Sequence, residues 1–254
     1  MLRFKDHAIC IRHIDWSETS QIVALLTKRH GIVRAVAKGS KRTSPSSVQR
    51  FSGGIELLTL GQAVGVIKPS AELATLTEWD LEEPHWHLHR DLTAQRLAMH
   101  AADLAGALLA EQDAHPPVFM AMCDMLHGLA DPKTRQVALL SFQWQLLDDC
   151  GYRPELDRDV RTGRMLTQRR PFIFDVQAGG LTMESTTTNR TWKVRTETVE
   201  TLRLLSQSGD HAVLLSDIPP QTLKRTSRLL CFYTRAILDR QLPTMSYLLS
   251  DTDC

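Results

Sequence analysis

Cysteine is scarce in this chain, and the few present stand apart. Cys10, Cys123, Cys150, Cys231 and Cys254 are odd in number and contain no CxxC pair. This spacing argues against a disulfide framework and a cysteine zinc site, and leaves buried free thiols as the expected state. Uncharged apolar runs of about 18 residues are missing, so no membrane span is expected. The opening MLRFKDHAIC lacks the apolar core and cleavage site of a signal peptide, which makes a cytoplasmic protein the default. The chain also has no GxxxxGK(S/T), GxGxxG, HExxH or GxSxG, so no familiar route to ATP hydrolysis, dinucleotide binding or acyl transfer is written in it.

What is present is an ordinary globular composition with an uneven charge. The 254 residues are 43% hydrophobic and 23% charged, enough for a real core and one or two domains. The net charge of +1 conceals a first stretch, residues 1–50, with ten Lys or Arg against three acids, and a later one, residues 78–113, with eight acids against two Arg. Adjacent segments of opposite sign suggest modules with different partners.

Residues 1–80 read as β structure. His7–Ile14 alternates, and Gln21–Lys28 and Ile32–Ala37 are aliphatic runs joined by a His30-Gly31 turn, which predicts a hairpin. Ser40–Gln49 reads as a polar loop, with Pro45 barring a ladder. Ile55–Leu60 and Ala63–Lys68 are expected as two strands about a Gly61 turn, with Leu73–Trp79 extending the second beyond Pro69. About five short strands in this length predict a small OB-like barrel. After Pro84 the period becomes helical: Leu97, Ala101, Leu104 and Leu108 share one face, Val118–Leu129 follows Pro116-Pro117, and Val137, Leu140, Trp144 and Leu147 precede Gly151 as a helix stop. Residues 85–151 are thus expected to be a helical bundle. Pro171–Val176 and Leu181–Glu184 predict a hairpin around Gly179-Gly180, and Thr196–Ser206 and Pro219–Gln241 return to helix. The fold class is α+β: a barrel domain over 1–80 and a helical domain over 81–254 carrying a small hairpin insertion at about 153–195.

Catalytic groupings are weak. His85, His87 and His89 would share a face on a strand, but they follow Pro84 into a helix, where that spacing does not converge on a metal. Glu82-Glu83 and Asp148-Asp149 are neighbours and cannot act as a dyad on a helix face; solvated surface explains them. Ser17 has no recognisable base, and turn chemistry accounts for it. The basic stretch says more. Arg34 and Lys38 alternate with Val33, Ala35 and Ala37, so the cations share one strand face, and Lys41 and Arg42 follow among Ser and Thr hydroxyls. With Lys28 and Arg50 they make a surface suited to a polyanion, bound through phosphate because only Trp16 and Phe51 offer aromatic rings nearby. A plain solvated basic face is the competing reading of charge alone.

Trp16-Ser17-Glu18-Thr19-Ser20, Leu26-Thr27, Gly31 and Val36-Ala37-Lys38-Gly39 closely resemble the N-terminal domain of the RecO family of bacterial recombination-repair proteins. Phe142–Tyr152, followed by Pro154, Leu156 and Asp157, is similar to that family's helix ending in L-G-Y and its L-D tail. The family has an OB barrel, a helical domain and often a four-cysteine zinc module after the L-D segment. Here that place holds Asp157-Arg158-Asp159-Val160-Arg161-Thr162-Gly163, and no cysteine lies between Cys150 and Cys231, so a metal-free hairpin and no cofactor are expected.

The resemblance implies a non-enzymatic mediator that binds single- and double-stranded DNA, anneals strands and works with RecR to load RecA onto DNA coated by single-stranded-DNA-binding protein (SSB), in the cytoplasm at the nucleoid. It places Lys38 and Arg42 on DNA, with Trp16–Ser20 helping to build the barrel. It also implies a site for the acidic, apolar C-terminal tail of SSB, with Phe119, Arg135, Phe142, Leu146 and Arg153 as candidates; core packing is the alternative for the aromatic residues. A protein-interaction adaptor with little DNA binding of its own is the rival function.

Overall fold

Alternation of apolar and polar residues through the first 83 positions demands sheets with one face covered, and the chain meets this by closing a barrel. The computed structural model describes residues 2–68, 70–166, 172–183 and 191–249. They fall into two compact units, 1–127 and 128–254. In the first, β1 (Leu2–Asp15), β2 (Gln21–Thr27), β3 (Gly31–Ala37), β4 (Leu60–Ile67) and β5 (Ala74–Glu83) form a closed barrel in the order β1-β2-β3-β5-β4. β3 and β5 run parallel; the other neighbours are antiparallel, and β1 seals the ring against β4 from Leu2↔Ile67 to Ile9↔Leu60. This is the OB arrangement the strand count predicted. Phe4, Ala8, Cys10, Val23, Leu25, Val33, Ala35, Ala37, Leu76 and Trp79 fill the interior.

Three local expectations are corrected. The polar loop at 40–49 contains a helix, α1 (Pro45–Phe51), which Pro45 opens rather than forbids because the first turn of a helix needs no N–H there. Phe51 and Ile55, both buried, then plug the barrel end. Ile55–Thr59 is not a strand: Leu58 sits at φ 63° and this segment bonds to the β1 bulge through Leu58 N–H to the Cys10 carbonyl at 2.7 Å and Cys10 N–H to the Thr59 carbonyl at 3.1 Å. Gly61 is not a turn but a strand residue, where a Cβ would lie 2.8 Å from the Trp79 ring. The strand count survives because β5 is a strand in its own right rather than an extension of β4.

Helices complete the unit: α2 (Trp86–Arg90), α3 (Leu92–Leu108), whose first turn is capped by the Asp91 carboxylate at Ala94 N–H, and α4 (Pro116–Gly128). Leu97, Ala101 and Leu104 bury the predicted face of α3, and Ile11 beside Gly106 shows the outer side of β1 covered by it. The histidine string is structural here. His85 is buried with Nδ1 2.7 Å from the Leu58 carbonyl, and burial lowers its pKa; His87 Nε2 lies 2.9 Å from the Leu126 carbonyl.

The second unit holds α5 (Arg135–Asp149), which ends before Gly151 as the spacing predicts, then β6 (Phe172–Asp175), β7 (Gly180–Thr182) and β8 (Thr191–Val194), in the order β7-β6-β8. The predicted hairpin is therefore present, while its expected outer ends, Pro171 and Glu184, lie outside the described residues. α6 (Thr196–Leu205), α7 (His211–Leu214), α8 (Pro220–Leu238) and α9 (Ser246–Leu249) follow, and α8 packs on α5 with Ser227 Oγ donating to Gln143 Oε1 at 2.8 Å. Among the described residues no group of three or more His, Cys, Asp or Glu is placed to hold a metal, and no helix is long and apolar enough to cross a membrane.

Where cysteines would hold zinc in the resembled family, buried carboxylates organise the hairpin. Asp159 accepts from Arg161 N–H and Thr162 N–H at 2.9 Å each, Met183 N–H at 2.7 Å and the Thr182 hydroxyl at 3.0 Å. Burial alone would raise its pKa, but the four donors outweigh it and hold the carboxyl at about 2. Asp175 accepts from Arg161 Nε at 3.0 Å and from Gln177 and Ala178 N–H, and is likewise held below the usual range against the opposing effect of burial.

Candidate nucleic-acid interface

The β2–β3 hairpin sets the geometry of the basic surface. Its register pairs Gln21 with Ala37 at one end and Thr27 with Gly31 at the other. Val33, Ala35 and Ala37 point into the barrel; Arg34 is exposed, with half-buried Val36 and exposed Lys38 continuing the same outer face. Across the ladder Arg34 faces Ala24 and Val36 faces Ile22, both half-buried, so the outer face is a shallow apolar strip edged by cations.

Beyond Ala37 the chain turns back on the β1–β2 loop. Gly39 N–H donates to Ser20 Oγ at 3.3 Å and Lys41 N–H to the Thr19 carbonyl at 3.2 Å, while Arg42 lies alongside Gly39. Ser47 of α1 donates its hydroxyl to the Gly39 carbonyl, and Gln21 holds Ile55 through bonds of 3.1 and 3.2 Å. These contacts tie the turn of Lys38, Lys41 and Arg42 to the loop that carries Trp16 and to α1, which carries Arg50 on its last turn. Lys28 stands apart at the other end of the hairpin, about 20 Å away along a seven-residue strand.

The cations differ in what already occupies them. Lys41 Nζ lies 2.6 Å from Asp15 Oδ2, and this bond holds the Asp15 carboxyl below its usual range. Arg34 pairs loosely with Glu111 at 3.4 Å. Both pairs are exposed, so each contributes little and is easily broken. Arg50 Nε donates to the Ser46 carbonyl at 3.3 Å, with its guanidinium 5.5 Å from the Phe51 ring centre. Lys38 and Arg42 have no carboxylate partner among the described residues.

Trp16 is the residue that sequence reasoning misplaced. The resemblance counts it among the residues that build the barrel, yet it is 68% exposed. The loop is held by its backbone instead, with Trp16 N–H and Ser17 N–H both donating to the Ser20 carbonyl and Thr19 N–H to Ser17 Oγ. A signal was available: in OB barrels generally the first loop and the second and third strands form an open surface, and position 16 lies in that first loop.

Of the residues expected to bind an acidic tail, the three apolar ones are buried and the two arginines have partners. Phe119 is buried in the first unit; Phe142 and Leu146 are buried in the second. Arg135 Nε donates to the Leu129 carbonyl at 2.8 Å, and Arg153, half-exposed, lies 3.6 Å from Asp148 and 5.6 Å from the Trp144 ring centre.

Family models agree with this layout. One described as Recombination protein O N terminal matches residues 1–85, and one described as Recombination protein O C terminal matches residues 89–246. Among curated proteins, the chain is 27% identical to a DNA repair protein RecO of Anaeromyxobacter sp. (strain K) over 98% of its own length and 96% of the relative. It is 30% identical to the RecO of Anaeromyxobacter dehalogenans (strain 2CP-C) over 71% and 69%. Identity to the Salinibacter ruber RecO is 32%, over 59% of this chain and 57% of that protein.

Proposed function

The chain belongs to the RecO family of DNA repair proteins, and on that footing we propose that it is a non-enzymatic recombination mediator that binds single- and double-stranded DNA, anneals complementary strands and helps load RecA onto SSB-coated DNA together with RecR. The observation that carries this reading is the end of the barrel where Lys38 and Arg42, without a carboxylate partner among the described residues, lie on the turn that bonds to the loop of exposed Trp16. The barrel, residues 1–80, is the DNA-binding domain; residues 81–254 carry the contacts to protein partners, with Arg135 and Arg153 as cations for the SSB tail.

The mechanism is charge neutralisation with stacking. Phosphates of one strand meet Lys38 and Arg42, then Lys41 and Arg34 as they exchange Asp15 and Glu111 for DNA. A base stacks on Trp16 while the Ile22–Val36 strip takes sugar and base edges. Lowering the repulsion between two strands at this surface lets pairing proceed without ATP.

The test is a salt titration of fluorescence anisotropy with a single-stranded oligonucleotide. Replacing Lys38→Glu and Arg42→Glu removes about two phosphate contacts, so the slope of log K against log salt flattens by about 1.4 and annealing is lost. A double variant that folds and keeps the original affinity and slope overturns the reading. Tail-peptide capture without any DNA binding by the intact chain supports an adaptor instead.

A further inference from the structure

The second unit contains a half-open pocket of about 480 Å³ that the barrel reading does not use. Its wall is β8 with the start of α6 on one side and one face of α8 on the other. Lys193 and Arg195 come from the first wall; Arg225, Arg228 and Phe232 come from α8, at spacings of three and four that put them on one helix face. Trp192 faces Phe232 with ring centres 4.8 Å apart. No carboxylate is among the described residues that line it, and none of the four cations has a carboxylate partner among them.

Two further observations mark one end of the pocket as built for an anion. Thr198 lines it, is 1% exposed, and its hydroxyl has no hydrogen-bond partner among the described residues. A buried hydroxyl left so carries a desolvation cost that a ligand oxygen would remove. It also stands in the first turn of α6, whose N-cap, Arg195, supplies no side-chain cap. The Thr198 and Val199 N–H groups bond to the Arg195 carbonyl at 3.1 and 3.2 Å, which leaves the N–H groups of Thr196 and Glu197 and the helix dipole to favour negative charge at the same place, against the one carboxylate of that turn, Glu197.

We propose that this pocket binds a nucleotide, with the phosphate held by Arg225, Arg228, the Thr198 hydroxyl and the open end of α6, and the base laid against Trp192. A phosphate presents three acceptor oxygens and nearly two charges, which suits four cations and a hydroxyl better than a single carboxylate does. The aromatic pair supplies what inorganic phosphate cannot use. The nucleotide comes either free or as the phosphorylated end of a single strand. The site is independent of the barrel.

Calorimetric titration of the full chain decides it. The barrel is first silenced by Lys38→Glu with Arg42→Glu, and the probes are inorganic phosphate, thymidine 5′-monophosphate, 5′-phosphorylated tetrathymidylate and an acidic peptide containing phenylalanine. The monophosphate binds about ten-fold tighter than inorganic phosphate, and Trp192→Ala abolishes that advantage without changing phosphate binding. Arg225→Gln with Arg228→Gln weakens both nucleotides by about ten-fold or more, and Thr198→Val weakens them by a few fold, with far-UV circular dichroism and melting temperature retained. A tetranucleotide that binds tighter than the monophosphate identifies a strand end as the source; equal binding identifies a free nucleotide. The proposal fails if nucleotide and phosphate bind alike, if no nucleotide binds, or if only the peptide does.

Discussion

Replacing Asp159 by Asn tests whether a carboxylate does the work of a metal in the hairpin module. The side chain is 4% exposed and accepts four hydrogen bonds, three of them from backbone N–H groups of Arg161, Thr162 and Met183. Asn keeps one accepting oxygen and turns an NH₂ towards donors on the other side. At least one N–H, or the Thr182 hydroxyl, then loses its acceptor in a buried place. Charge-assisted bonds of this kind are worth about 1.5–3 kcal/mol each, so a loss of about 2–4 kcal/mol is expected. The titration gives a second route to the same size: a carboxyl lowered from 3.8 to about 2 contributes roughly 2 kcal/mol. Because the folded pKa is the lower one, that contribution is complete above about pH 4 and disappears as pH falls towards 2. Calorimetric unfolding at pH 7 should show the transition of residues 128–254 lowered by roughly 8–15 °C, on the scaling for domains of this size. Hydrogen exchange should localise the loss to residues 155–183. The gap between the two proteins should shrink steadily below pH 4. Equal stability at pH 7, or a gap independent of pH from 7 to 2, would refute the reasoning.

Other expectations concern the barrel. Trp16→Ala should weaken single-stranded DNA by about 1–3 kcal/mol, read by anisotropy, and leave duplex affinity nearly unchanged, since only an unpaired base can stack on the indole. Asp15→Asn frees Lys41 and should tighten single-strand binding at low salt while steepening the salt slope by about 0.7; weaker binding would show that Asp15 positions Lys41 rather than masks it. Gly31→Ala should cost about 3 kcal/mol in thermal melts, because a Cβ there, at φ 66°, would lie 2.1 Å from the Asp113 carbonyl oxygen. Gly53→Ala, with φ 88° and open space, provides the control and should cost about 1 kcal/mol.

The sequence by itself determined the elements whose signal is local. Alternation placed Val33, Ala35 and Ala37 inside and Arg34 and Lys38 outside, and period-3.6 patterns found α3, α5 and α8, because side-chain direction follows directly from backbone period. The segment from Ser40 to Gly61 is ambiguous in sequence because its structure answers to distant partners. Pro45 reads as a breaker until it stands at a helix start, and Gly61 reads as a turn until Trp79 is seen packed on it. Spacing marked the basic residues but could not tell that Lys41 is held by Asp15, that Lys28 lies at the far end of the hairpin, or that Trp16 faces solvent. Those facts depend on which loops meet when the barrel closes. The same holds for Asp159, ringed by donors up to 24 residues away, and for the pocket that brings Lys193 beside Arg225. Charge and periodicity are properties of a segment, whereas the pairing of a charge, its exposure and its neighbours across the chain are fixed only by tertiary packing.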